Sequence, residues 1–276
     1  LPRWLAQLWT DQLGPDQADR LACATNRPGP ITARANLLKG TREELIAALA
    51  SERIEALPAS FAPQAVHLQG RPNVFGSRAW REGRFEVQDE GSQLIVGFCA
   101  PRPGERCVDF CAGAGGKTLA LAALMGDSGE ILALDVDRQR IADLQPRLAR
   151  AGVTCVRSRV IEPEGALPPG AGDADLVLVD APCSSLGTLR RGPDARWRTT
   201  PEKVESFPAL QLEILGRAAA LVGRAGRLVY ATCTLNAAEN ERVAGRFEDE
   251  HPEFRRTPVA ELLGGPAAGF FEITPL

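Results

Sequence analysis

From residue 86 onward the sequence alternates between short apolar runs and longer amphipathic stretches, and this alternation is what most constrains the fold. "RCVDF", "EILALDVD", "VTCVRS", "DADLVLVD" and "GRLVYATCT" read as strands. A helix from Lys117, "RQRIADLQPRLARAG", "EKVESFPALQLEILGRAAALV" and "AAENERVAGRFEDE" read as helices. Such alternation predicts a mostly parallel, doubly wound sheet covered on both faces, with ligands beyond the carboxyl ends of the strands. Residues 1–85 follow another pattern. "PRWLAQLWTDQLG" puts Trp4, Leu5, Leu8, Trp9 and Leu13 on one helical face, and "ITARANLL" reads as a strand. "TREELIAALASE" reads as a helix with Thr41 as N-cap and Glu44 closing a capping box. The expectation is a small α+β unit over 1–85 followed by an α/β domain over 86–276.

Composition narrows the function classes. A chain of 276 residues with 44% hydrophobic and 24% charged residues is that of an ordinary globular protein. No apolar run approaches the roughly 18 residues of a membrane span. "LPRWLAQLWT" lacks the basic start and apolar centre of a signal peptide. The absence of an initiating Met leads us to expect a longer natural N-terminus. Seven cysteines without a CxxC pair, and two histidines (67 and 251), argue against a disulfide framework and against a metal site. A reducing cytoplasm is the expected home. A net charge of −3 does not advertise nucleic-acid binding, but a local patch decides that question.

"VDFCAGAGGKTLALA" poses the cofactor question. Gly116-Lys117-Thr118 resembles the end of a phosphate loop, and "DLVLVD", ending in Asp180, resembles its partner strand. A phosphate loop needs a glycine separated by four residues from that Gly-Lys-Thr so that the backbone can wrap phosphates, and Cys111 occupies this position. The phosphate loop fails. The other reading is a Rossmann-like first turn, where Gly113, Gly115 and Gly116 let the backbone approach a ligand. Such a fold wants a carboxylate about 20 residues on to accept ribose hydroxyls. Asp135 closes the next strand, 19 residues after Gly116. A turn with no ligand role is the alternative.

Most free cysteines are buried spacers, and Cys23, Cys99, Cys107 and Cys155 are expected to be. Cys183 in "DAPCSS" and Cys233 in "YATCT" differ, because both follow strands expected to be neighbours. A thiolate beside a ribose-binding methyl-donor pocket suggests addition to an electron-poor ring. Attack on C6 of a cytosine makes C5 nucleophilic enough to take a methyl group. The second cysteine could then assist release.

"CAGAGGKT", "DAPCSSLGTLRRGPDARW" and "YATCTLNAAENERV", in this order, resemble the Sun/Nop2-type RNA cytosine-5 methyltransferases. "TARANLLKGTREEL", "VQDEGSQL" and the late "GFFEI" extend the resemblance over nearly the whole chain. It implies a Rossmann-like class I methyltransferase domain with S-adenosylmethionine as donor. The loop Cys111, Ala112, Gly113, Ala114, Gly115, Gly116 and Lys117 would hold that donor. Asp135 would take the ribose, with Arg140 in support, and Asp180 would face donor and base. Cys233 would be the nucleophile and Cys183 the residue assisting release. DNA cytosine-5 methyltransferases, by contrast, use the Pro-Cys cysteine as nucleophile. The chain departs from the family at Ala114, where Pro is common, and at Ala268-Gly269, where an acid often precedes "GFF". After strand three the usual Asp is replaced by Ile161, with Glu162 beside it as a substitute adenine contact.

Arg190, Arg191, Arg196 and Arg198 surround Trp197 directly after the Cys183 loop. Arg71, Arg78, Arg81 and Arg84 accompany Phe75 and Trp80. Arginines can hold phosphates and rings can stack on unpaired bases. The alternative for the first segment is a solvated charged face with Trp197 buried. The expected protein is a monomer that methylates a cytosine in structured RNA, ribosomal RNA above all. A silent RNA-binding assembly factor and a DNA cytosine-5 methyltransferase are its rivals.

Overall fold

Two sheets organise residues 1–257, the part of the chain that the computed structural model describes. "GFFEI" and Ala268-Gly269 lie outside the described residues. The first sheet is antiparallel, in the order β2 (Ala56–Pro58), β3 (Ala65–Leu68), β1 (Ile31–Ala35), β4 (Phe85–Val87). Its last strand carries this unit two residues past the expected end at 85. Helices α3 (Arg42–Ser51) and α4 (Arg78–Arg81) cover it over a core that includes Leu45, Leu49, Val66 and Phe85. The capping box opening α3 is present: Thr41 accepts from the Glu44 amide, and Glu44 accepts from the Thr41 amide at 2.7 Å.

The leading helices, α1 (Arg3–Leu13) and α2 (Pro15–Thr25), bury their apolar faces elsewhere. Leu5, Trp9, Ala18 and Leu21 pack with Leu186 and Leu189 in the loop beyond Cys183. The amphipathic face predicted for α1 is therefore real, but its partner is the second domain's loop. Periodicity gives a buried face and not the surface it meets.

The second sheet is fully parallel. Its order is β7 (Val156–Val160), β6 (Glu130–Asp135), β5 (Arg106–Asp109), β8 (Ala174–Asp180), β9 (Val222–Ala231). Strand order reverses at β5, between β6 and β8, and loops leaving β5 and β8 there open a crevice. The connecting helices are α5 (Glu90–Phe98), α6 (Gly116–Leu124), α7 (Arg138–Ala151), the short α8 (Ala195–Arg198), α9 (Pro201–Ala219) and α10 (Glu241–Glu250). Residues 237–240, expected in the last helix, instead form a turn ahead of α10. Among the described residues no helix is long and apolar enough to cross a membrane.

The domains grip each other through charge as well as apolar contact. Arg34 on β1 is buried and donates to the Gly116 carbonyl at 2.8 Å. Glu86 on β4 pairs with Arg147 and Arg150 on α7, and Arg147 also donates to the Ala114 carbonyl at 2.5 Å. One carbonyl of the glycine loop is thus anchored from the first domain, and a second is held by Arg147, which Glu86 of that domain pairs with.

Candidate active site

The glycine loop leaves β5 at Asp109 and enters α6 at Gly116. Gly113 (φ +53°) and Gly115 (φ +82°) are both left-handed, a region that a Cβ disfavours. A Cβ on Gly115 would stand 2.1 Å from Leu144 Cδ1, whereas one on Gly113 would meet nothing within 4 Å. Gly115 is therefore required by packing, and Gly113 leaves its backbone open. The loop is pinned to the next strand: the Gly113 amide donates to Asp135 Oδ2 at 2.7 Å, and Asp135 Oδ1 accepts from the Asp137 amide at 2.8 Å. Each carboxylate oxygen keeps a second lone pair for a ligand.

Three carboxylates and one ammonium lie around this crevice. Lys117 Nζ forms an ion pair with Asp180, so the lysine that suggested a phosphate loop is committed to an acid. Asp109 is fully buried; Thr118 Oγ1 donates to its Oδ2 at 2.7 Å, and its Oδ1 has no hydrogen-bond partner among the described residues. Burial pushes the Asp109 carboxyl up to about 7; Asp180 and Asp135 push the same way, and the Thr118 bond and Lys117 oppose. Net negative charge, with an orphaned buried acceptor, suits a cationic ligand and repels a polyphosphate. Cys111, half-buried in the loop, is pushed far up by burial and cannot act as a thiolate. Arg140 is exposed on α7 and pairs with Asp137 at 3.4 Å. At the end of β7 Ile161 is buried among the core residues, while Glu162 is exposed and its carbonyl accepts from Arg217 at 3.1 Å.

The two cysteines meet. Cys183 follows β8, Cys233 follows β9, and their Sγ atoms are 3.2 Å apart. The Cys233 amide donates to Cys183 Sγ at 3.3 Å, and Ser185 Oγ lies 3.2 Å from Cys233 Sγ. Ser185 is left-handed (φ +58°), which turns its hydroxyl into the pair. The Cys233 carbonyl accepts from the Gly187 amide at 3.0 Å, and a Cβ on Gly187 would stand 2.9 Å from that oxygen. The hydrogen bond from Cys183 draws the Cys233 thiol down to about 7; burial and Asp180 oppose, and Ser185 and Lys117 help. Cys183 is pushed up by the same bond. Cys99, Cys107 and Cys155 are pushed up to about 12, mainly by burial, as spacer cysteines should be.

The arginine segments divide. Trp197 is 69% exposed, contrary to the buried alternative, and Arg198 beside it is exposed and pairs with Asp194. Arg196 is not presented to solvent: it is 7% exposed and donates to Asn26 Oδ1 at 2.8 Å and the Thr25 carbonyl at 3.1 Å. It is a strut between α8 and the end of α2. Arg190 donates to the carbonyls of Arg27 and Pro28, and Arg191 pairs with Asp89. In the other segment Phe75 is exposed, and Trp80 packs between Phe85 and the Arg150 guanidinium, 3.7 Å from its ring centre.

Fold and site together define a Rossmann-like methyltransferase domain preceded by a small α+β domain. Residues 96–265 match the family described as 16S rRNA methyltransferase RsmB/F, and residues 1–75 match the ferredoxin-like domain of RsmF/B-like methyltransferases. The chain belongs to this RsmB/F methyltransferase family, and S-adenosylmethionine is its methyl donor. A probable ribosomal RNA small subunit methyltransferase B from Bacillus subtilis is 33% identical over 92% of this chain and 57% of its own length. One from Synechocystis is 36% identical over 93% of this chain and 58% of its own. The crystal structure of PH0851 superposes with a TM-score of 0.88 at 37% identity, over 93% of this chain and 58% of that one. The chain thus spans somewhat under two thirds of the length of these relatives.

Proposed function

We propose that the chain transfers a methyl group to C5 of a cytosine in ribosomal RNA, with Cys233 as nucleophile. The observation that carries this reading is the pair Cys183–Cys233, 3.2 Å apart beyond the carboxyl ends of adjacent strands, with Asp180 and Lys117 beside it. S-adenosylmethionine, when bound by 111–117 with Asp135 at its ribose and Arg140 and Glu162 at the rim, supplies an electrophilic methyl group. The fit of that site rests on its three carboxylates and the orphaned Asp109 oxygen.

The Cys233 thiolate adds to C6, and the C5–C6 π electrons become available at C5, where they would accept the methyl group that bound S-adenosylmethionine would supply. Loss of the C5 proton to solvent water then returns electrons to the ring and expels the Cys233 thiolate. Cys183, whose thiol is held neutral beside the departing sulfur, donates its hydrogen bond to that thiolate, and Asp180 orients the base. In the DNA-type alternative Cys183 would attack, and single substitution of each cysteine separates the two assignments.

Trp197, with Arg190, Arg191 and Arg198, forms the RNA-facing edge beside the site, and the target base must be unpaired or flipped to reach Cys233. The test is direct: purified protein, S-adenosylmethionine and small-subunit rRNA should give 5-methylcytosine, read by bisulfite sequencing. Methylation at any other atom would reject the reading.

A further inference from the structure

Glu239 stands behind the cysteine loops. It is fully buried, and its described side-chain partners are all neutral donors. Oε2 accepts from the Ser184 amide at 2.8 Å and Gln211 Nε2 at 3.1 Å. Oε1 accepts from Ser184 Oγ at 2.5 Å and Asn236 Nδ2 at 3.1 Å. Ser184 Oγ, which donates to Glu239, also meets Thr234 Oγ1 at 2.7 Å. Ser184 and Thr234 directly follow Cys183 and Cys233. Gln211, reaching in from α9, donates to the Pro182 carbonyl at 3.0 Å as well. One carboxylate therefore fixes both flanks of Cys183 and, through one hydroxyl, the neighbour of Cys233. Four donors converge on two acceptor oxygens, which a carboxylate satisfies and a carboxamide cannot.

We propose that Glu239 is a positioning residue of the two-cysteine site, locking the 182–184 and 234–236 segments so that the Cys183 thiol stays within hydrogen-bond reach of Cys233 Sγ. The proposal deepens the reading of Cys233 as nucleophile and rests on it. A buried network whose members are all satisfied holds one geometry; removing one acceptor leaves donors unmatched and frees the loops. The groups facing Cys233 are Cys183 and Ser185 in the loop after β8, Asp180 at the end of β8, and Lys117 on α6. None of them is altered by a change at Glu239, and loss of its negative charge would by itself lower the Cys233 pKa, so a rise must pass through loop position.

The test is the pH profile of Cys233 alkylation by iodoacetamide, read by peptide mass spectrometry on the full chain without RNA. In the parent the midpoint should lie near 7. In Glu239→Gln it should rise toward the ordinary thiol value of about 8.5. A shift of about one unit slows alkylation at neutral pH about fivefold. Ser184→Ala, which leaves the carboxylate three donors and deletes the hydroxyl link to Thr234, should move the profile the same way and decides the matter if Glu239→Gln does not fold. A folded variant with lowered melting temperature and an unchanged profile makes Glu239 a strut and overturns the proposal. With RNA and S-adenosylmethionine, Glu239→Gln should also retain the covalent protein–RNA adduct longer than the parent. If Cys183→Ala forms no adduct while the alkylation profile of the Glu239 variant still shifts, the cytosine reading fails and the positioning role stands.

Discussion

Cys183 and Cys233 are 50 residues apart in sequence, and their Sγ atoms are 3.2 Å apart in space. The sheet produces this proximity. β8 and β9 run parallel with Asp180 opposite Ala231, so each cysteine lies two or three residues past the same end of the sheet. At this separation the two sulfurs share a hydrogen bond and titrate as a pair.

If Cys233 attacks C6, Cys233→Ala should lose essentially all methyl transfer and form no adduct. Cys183→Ala should still attack and methylate but release slowly, so that the protein–RNA complex accumulates and survives denaturing electrophoresis. Blocking a late step collects the species before it, and blocking the first step collects nothing. Because Cys183 also lowers Cys233, the Cys183→Ala adduct should form more slowly at pH 7 than at pH 8.5. The reverse pattern, with adduct trapped in Cys233→Ala, would assign the DNA-type mechanism.

Cofactor binding should discriminate by charge. S-adenosylmethionine should raise the melting temperature, because a ligand that binds only the folded state stabilises it; ATP with Mg²⁺ should not. Gly115→Ala forces a Cβ into a left-handed residue packed on Leu144 and should cost about 1–3 kcal/mol of stability. Asp135→Ala should weaken the cofactor and loosen the loop, since Asp135 holds both the Gly113 and Asp137 amides. Isothermal titration of each variant checks this; unchanged affinity in Asp135→Ala removes the ribose role.

The RNA edge can be separated from the struts that resemble it. Trp197→Ala should leave the melting temperature nearly unchanged and weaken RNA binding by about 1–3 kcal/mol, the range for one stacked base. Arg190 and Arg191, replaced together, should flatten the salt dependence of RNA binding. Arg196→Ala should instead lower stability, because it strands the buried Thr25 carbonyl and cuts the tie to Asn26. Filter binding at several salt concentrations beside thermal melts decides; an unchanged salt slope would leave Arg190 and Arg191 as links to Arg27, Pro28 and Asp89.

Legibility in the sequence followed physical scale. β5, β6 and β8 were readable because buried parallel strands are continuous apolar runs, and Asp135 because its place at a strand end is set by spacing. The Cys183–Cys233 pair was readable because sheet order follows from crossover topology. Arg196 and Glu239 were not. Both are charged residues in strongly polar surroundings, where burial has no periodic signature, and the "NAAENE" stretch continues a helical pattern in composition alone. The turn at 237–240 exists because Glu239 bonds to Ser184 and Gln211, far away in sequence, as well as to nearby Asn236, and the helix must wait until Glu241. Helix α5 escaped notice because its Asp89 cap lay within a motif read only for its family likeness.

Asp109 makes a prediction with a definite sign. Its carboxyl is raised to about 7 in the fold, chiefly by burial, against about 3.9 in an unfolded chain. The folded state therefore holds the proton more tightly than the unfolded one. The contribution is full below about pH 4 and is lost as pH rises through 7. Asp109→Asn keeps the shape and removes the titration. Between pH 5 and pH 8 the parent should lose on the order of 2–3 kcal/mol of stability relative to the variant, read from their melting curves. S-adenosylmethionine carries a sulfonium and an ammonium, so its binding favours the ionised carboxylate and should narrow that gap in the parent. The same linkage requires proton release on binding at pH 6, measurable as a buffer-dependent heat, and little release at pH 8.5. Parallel melting curves across this range would mean that Asp109 is ionised throughout, with a hydrogen-bond donor at its second oxygen.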